Sequence, residues 1–277
     1  MPKWKELKQQ VLASTQQDSH GESSTKKFLQ SLRDEFGSKE RIPLNQQHDM
    51  SLEHVGYIDN FQVVQADKDG KEWNLVGDVH FHDVEIDEAM QGFSYSVTED
   101  MRGDIKNRQI GVYVPFPYYK DQELLSDLTN VESGIVSGAW RKKAADPATV
   151  SLIISFALFA VAPAYTNYWN NKVSPLLNKL LSKLKMNHSV EYIQTSEGPL
   201  GETFGIYFIP VRGKENECLT LNLVLDGIRI ANDHIAADDL AAKRGVHLVK
   251  LIYSDDKKTY ELKTVEYQDG SVVKYNR

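Results

Sequence analysis

One cysteine, Cys218, stands among 277 residues, so no internal disulfide can form and no CxxC metal knuckle exists. That scarcity suits a reducing compartment. The opening residues hold no apolar stretch long enough for a secretory signal, so any membrane insertion is expected to use an internal segment. Absent too are a phosphate-cradling glycine loop, a nucleophile elbow and a kinase signature; the Gly-Phe-Ser-Tyr-Ser run at 92–96 does not have the elbow pattern. There is no internal repeat and no low-complexity tract. Without such motifs an enzyme is less expected than a binding protein, and no cofactor is implied.

Positive charge is also in short supply. Residues 1–145 carry 17 basic and 24 acidic side chains, and residues 186–277 carry 11 and 14. A nucleic-acid groove needs a basic stripe, so nucleic acid is not an expected partner. The exception is 146–185, with four lysines against one aspartate. A basic margin beside apolar sequence is what anionic lipid attracts.

That apolar sequence is the strongest feature of the chain. Residues 148–171 run for 24 positions without a charge. As a helix, 22 of them would reach about 33 Å, enough for a bilayer core. Leu152, Ile153, Ile154, Phe156, Leu158, Phe159 and Val161 cover the whole circumference of such a helix, which places it either in lipid or wholly inside a fold. Trp140 on one side, and Tyr165, Tyr168 and Trp169 on the other, suit a membrane interface. Pro163 shortens the uninterrupted apolar core to 13 residues, 150–162, a length that also fits a buried helix. The next stretch, 174–185, begins with Ser174 and Pro175, a good helix start. Leu176, Leu177, Leu180, Leu181 and Leu184 form one stripe, with Lys179 and Lys183 opposite, the pattern of an interfacial helix or of a packed surface helix.

The flanks read as mixed structure. Amphipathic helices are expected in the first 37 residues, one capped by Ser24, carrying Phe28, Leu29, Leu32 and Phe36, and stopped by Gly37. Strands follow at 54–66 and 72–86, joined by the turn Asp67, Lys68, Asp69, Gly70, then at 92–97 and 109–114, with a short helix within 120–134. Beyond 186, strands are expected at 190–194, 204–210, 218–225, 246–253, 259–267 and 271–275, with one helix at 236–243 ending at Gly245. The fold class is therefore α+β in three parts. An N-terminal α+β domain, 1–145, puts helices on an antiparallel sheet; 146–185 is the hydrophobic helix plus the amphipathic helix; and 186–277 is a β-rich domain.

Three patterns carry possible chemistry. Asp78, His80 and His82 alternate along one strand face, and two imidazoles with a carboxylate match zinc. No HExxH or similar second element accompanies them. Glu261 and Lys263, after Asp255 and Asp256, resemble the E-x-K of restriction-endonuclease-like nucleases, where acidic groups hold a divalent cation and lysine stabilises developing charge; here the acidic pair lies in a turn just upstream. Asp233, His234, Asp238 and Asp239 surround the start of the expected C-terminal helix, where acidic groups complement its dipole.

The reading that follows is a non-enzymatic, membrane-associated recognition or effector protein. Its central segment would anchor or insert into a lipid bilayer, with a protein partner or homo-oligomer in addition. Ala157, Ala160, Ala162 and Ala164 would permit close helix approach in such an oligomer. The alternatives are a cytoplasmic binding or structural protein with the central helix in its core, and a metal-dependent hydrolase.

Overall fold

A computed structural model describes residues 4–17, 23–38, 41–45, 54–82, 96–104, 106, 108–115, 117–130, 134–142, 149–154, 162–183 and 189–275. It divides the chain into two compact units, Met1–Tyr95 and Ser96–Arg277. Mixed α and β content with antiparallel pairing is as expected.

The first unit opens on a strand. β1 (Trp4–Ser14) precedes α1 (Lys26–Ser38), β2 (Ile42–Asn45), β3 (His54–Gln65) and β4 (Trp73–His82). The sheet is antiparallel throughout, in the order β1-β4-β3-β2. The expected helix over the first residues is thus corrected. Trp4, Leu7 and Val11 do fall at helical spacing, but β4 offers this segment a ladder of backbone partners. Residues spaced for one helix face cannot all turn inward along a strand. Trp4, Leu7 and Val11 accordingly remain 47%, 40% and 42% exposed.

α1 forms as its pattern predicts, except that Thr25, not Ser24, caps it: its Oγ1 accepts from Phe28 N at 3.1 Å. Leu29, Leu32 and Phe36 are buried where α1 packs on β3 and β4, and Phe36 meets Phe61 with ring centroids 5.1 Å apart. The β3–β4 turn also forms, with Asp67 accepting the N–H groups of Lys71 and Glu72 and Gly70 at φ +72°. Gly56 lies so close to β4 that a Cβ there would stand 1.9 Å from His80 O.

The second unit is built on a nine-stranded mixed sheet. Its elements are β5 (Ser96–Arg102), β6 (Ile110–Val114), α2 (Gln122–Thr129), β7 (Ile135–Lys142), β8 (Thr149–Ile154), α3 (Ala162–Tyr168), a π-helical turn (Trp169–Val173), α4 (Ser174–Lys183), β9 (Ser189–Glu197), β10 (Thr203–Ile209), α5 (Glu215–Cys218), α6 (Leu221–Ala237), α7 (Ala241–Arg244), β11 (Val246–Ser254), β12 (Thr259–Tyr267) and β13 (Val272–Lys274). The spatial order is β13-β12-β11-β10-β9-β8-β6-β7-β5. Three neighbouring pairs are parallel, β6–β7, β8–β9 and β10–β11, and each is joined by a helical crossover. The other five neighbouring pairs are antiparallel. Helix and strand residues from all three crossovers share one hydrophobic core.

Two expectations are overturned here. Residues 149–154 are strand β8, between β6 and β9, so no continuous hydrophobic helix runs through 148–171. A strand buried inside a sheet reads as a near-continuous apolar run, without the alternation that marks a half-exposed one. Residues 218–225 are the end of α5, the capping residues Leu219 and Thr220, and the start of α6, instead of a strand. Leu219, Leu221, Leu223 and Leu225 alternate like a strand, but Val224, Ile228, Ala231 and Ile235 form the helical stripe that meets the core.

Candidate functional site

Asp78 and His80 lie on β4, which pairs with β1 on one side and β3 on the other. Both neighbours carry a bulge beside Asp78, between Leu7 and Gln10 on β1 and between Asp59 and Gln62 on β3. Gln9 and Asn60, in those bulges, take left-handed φ values of 50° and 51°. The Asp78 carboxylate receives Gln9 N–H on Oδ1 and Asn60 Nδ2 on Oδ2, each at 2.8 Å. It therefore clamps two bulges, and its two oxygens are committed to that task. The Asn60 amide first, and then the Gln9 N–H, hold the Asp78 carboxyl below the ordinary carboxylate range.

A stability consequence follows. A carboxyl whose pKa is lowered by folding contributes stability above its unfolded value, about 3.9, that is lost as pH falls through the folded value. Amide protection in β1 is expected to fall on acidification below about pH 4, with Asp78→Asn flattening that dependence. Asp78→Ala should cost about 1–2 kcal/mol, because it removes two hydrogen bonds to a charged group whose donors water can partly satisfy, as hydrogen exchange of β1 would show.

His80 is also engaged. Its Nε2 stands 2.9 Å from Asp59 Oδ1, and its ring stacks on Tyr57 with centroids 4.7 Å apart and planes 18° apart. Trp4 meets Tyr57 edge-on at 5.5 Å, and the Arg41 guanidinium lies 5.1 Å over the same ring. The zinc expectation required Asp78, His80 and His82 to converge. Asp78 and His80 are turned to separate partners, and the His82 side chain lies outside the described residues. Among the described residues no group of three His, Cys, Asp or Glu side chains is placed to hold a metal.

What β4 supports instead is a row of rings, His80, Tyr57 and Trp4, reaching the outer strand β1. β1 is the last strand in the sheet order, and its eight residues from Trp4 to Val11 are all exposed. Sequence reasoning missed Trp4, Tyr57 and Asp59. The available signal was Trp4 itself, a large apolar residue with a lysine on each side.

The membrane-segment residues are distributed differently. Leu152 and Ile154 are fully buried in β8, and Ile153 is half-buried on its other face. Phe156, Leu158, Phe159 and Val161 lie outside the described residues. Trp169 is 4% exposed and packs between Tyr165 and Tyr192, at ring distances of 6.2 and 5.7 Å. The Tyr165 and Tyr192 hydroxyls meet at 2.8 Å beside Gln194, and burial pushes the Tyr165 phenol up to about 12. Among the described residues no helix is long and apolar enough to cross a membrane.

The expected interfacial helix is α4. Leu176, Leu177 and Leu180 are buried in the core, and Leu181 packs against it. Leu184 lies outside the described residues. Lys179 Nζ donates to Asp127 O at 2.8 Å, and Lys183 Nζ pairs with the Asp127 carboxylate. Both lysines thus fasten α4 to α2, and Lys183 above all lowers the Asp127 pKa.

The remaining patterns are held in local pairs. Asp255 sits between Lys214 at 2.5 Å and Lys258 at 2.6 Å, which bring its carboxyl down to about 2. Glu261 pairs with Lys257 at 2.5 Å. The Cys218 thiol is buried, which raises its pKa. Near one end of β7 a shallow depression of about 490 Å³ is lined by Arg102, Gly103, Asp104, Thr129, Asn130, Gly134 and Ile135. Comparison of the chain with family models, curated proteins and solved structures finds no match.

Proposed function

We propose that this is a non-enzymatic recognition protein whose first unit receives an extended polypeptide segment along β1. The observation that carries the reading is the exposure of the Trp4, Leu7 and Val11 side chains on β1, an end strand of that sheet among the described residues. A strand edge offers main-chain donors and acceptors to an incoming chain, and side chains on alternate faces supply selectivity. The ring row ending at Trp4 gives one face an aromatic contact, and Leu7 gives the other an aliphatic one. The bulge at Lys8 and Gln9 limits the straight edge to the Trp4–Leu7 stretch, which favours a short ligand over indefinite sheet growth.

The central apolar segment enters this reading as the core of the second unit. Leu152, Ile154, Trp169, Leu176, Leu177 and Leu180 would have to leave one another before they could meet lipid. For this reason membrane insertion is not carried into the proposal.

A displayed library of unstructured peptides, screened against the full chain, tests recognition directly. Ligands are expected with Trp4→Ala weakening them about tenfold, the scale of an aromatic anchor, and with new amide protection in β1. Ligands indifferent to Trp4 and Leu7 would remove the edge from the proposal. Fractionation with carbonate washes tests the core assignment, since carbonate-resistant retention in membranes would overturn it.

A further inference from the structure

Along the straight part of β1, from Trp4 to Leu7, the side chains divide between the two faces of the first sheet. Glu6 and Tyr57 both stand opposite His80, one on each side of β4, and Trp4 meets the Tyr57 ring. Trp4, Glu6, Tyr57 and His80 therefore share one face. Lys5 and Leu7 alternate onto the other, opposite the buried Phe81 and Val79. Each face thus offers an added strand one apolar side chain and one charge, and the two charges differ in sign. Acidic character continues inward on the first face, where Asp59 Oδ1 lies 2.9 Å from His80 Nε2. Lys8 Nζ stands 3.8 Å from Glu6 Oε2 with both side chains exposed, so an incoming cation can replace it at little cost.

The pleat decides between two occupants of this edge. Residues directly opposite in an antiparallel pair point to the same face. A second copy of the chain, brought to the edge by a two-fold axis, keeps each face aligned with itself, so a residue can only oppose one of its own parity. Centred on Trp4, Lys5 or Glu6, such a pair sets like charges opposite one another: Lys5 and Lys3, two copies of Lys5, or two copies of Glu6. Centred on Leu7, it brings the bulge of one copy against Glu6 and Lys5 of the other. A separate peptide meets neither obstacle.

We infer that the segment received along β1 is a short antiparallel strand reading, from its N-terminus, aliphatic, basic, acidic, aromatic. The aliphatic residue lies opposite Leu7, the basic one opposite Glu6, the acidic one opposite Lys5 and the aromatic one opposite Trp4. This order rests on the edge recognition proposed above. Antiparallel addition continues the pairing of the whole first sheet and is the more stable mode per residue. Opposite charges across a strand pair stabilise it and like charges destabilise it, so an exchange of the two charges is penalised at both positions.

Two peptides of one composition test the order against the full chain: Val-Lys-Glu-Tyr and Val-Glu-Lys-Tyr, each flanked by serines. The first is expected to bind about fivefold more tightly, the scale of paired cross-strand charges. The preference should shrink as salt is raised, because both charges are exposed. The double variant Lys5→Glu with Glu6→Lys should reverse it, with β3 and β4 amides protected as before to show that the unit is folded. Equal affinities, or a preference for the second peptide, would overturn the order, and edge recognition would still stand if Trp4→Ala weakened both. Binding of neither peptide, or binding indifferent to Trp4→Ala, would remove the edge reading and this order with it. Concentration-dependent protection of β1 amides in the protein alone would place a second copy on the edge and overturn the order as well.

Discussion

Lys250→Met is expected to destabilise the second unit by about 3–5 kcal/mol, the cost of stranding a buried charge. Lys250 is 1% exposed and Glu266 is 2% exposed, and Lys250 Nζ lies 3.3 Å from Glu266 Oε1. Thr264, opposite Lys250 in the β11–β12 register, is fully buried on the same face. Tyr207, opposite Lys250 on β10, has its phenol raised by burial and then by Glu191 and Glu266. Removing the ammonium leaves carboxylates in a low-dielectric setting with less compensation. The paired change Lys250→Met with Glu266→Leu is expected to recover most of the loss, because two apolar groups carry no desolvation penalty. Native-state hydrogen exchange of β10 and β11 amides would measure both. A Lys250→Met loss below about 1 kcal/mol would mean that water reaches this face.

Trp169→Ala should cost a similar amount, about 3–5 kcal/mol, by removing the largest ring of a buried aromatic file. The file runs from Tyr165 through Trp169 and Tyr192 to Phe208 and Tyr260, with successive ring distances from 5.0 to 6.2 Å. The π-helical turn that begins at Trp169 buries both Trp169 and Val173 and so lets the apolar stripe pass from α3 into α4. This prediction also separates the two readings of the central segment. A core tryptophan lowers stability when removed, and an interfacial anchor lowers membrane partitioning with little effect on stability. Protection of β9 and β10 amides in the full chain reports the first, and liposome flotation reports the second.

Much of the chain was legible because its local patterns agree with its tertiary surroundings. α1, the β3–β4 turn and the strands from β9 to β12, the former α5–α6 stretch excepted, all follow hydrophobic period and turn residues. The leucine stripe of α4 was also visible, but the sequence did not say that core, and not lipid, would meet it. Both environments select the same side chains. The lysines opposite were equally ambiguous until Asp127, 52 and 56 positions earlier, was seen to receive them.

Misreadings arose where a segment carries the period of another structure. β1 has apolar residues at helical spacing, and the start of α6 has leucines at strand spacing. In each case long-range pairing or packing outweighed local periodicity. For Asp78 and His80 the residues were correctly placed on one strand, but their partners, Gln9, Asn60, Tyr57 and Asp59, come from neighbouring strands whose register depends on two bulges.

The sequence by itself determined the mixed α and β composition, the amphipathic α1 and α4, most turns, and the presence of one apolar stretch that water must not see. Only the tertiary structure decided that part of this stretch is a strand between β6 and β9, that Asp78 clamps bulges, and that His234 meets Tyr275 across 41 positions. The physical reason is common to all three. Periodicity reports how much of a segment must be hidden and on which side, but the group that hides it, or that shares its hydrogen bond, is chosen by strand order and register.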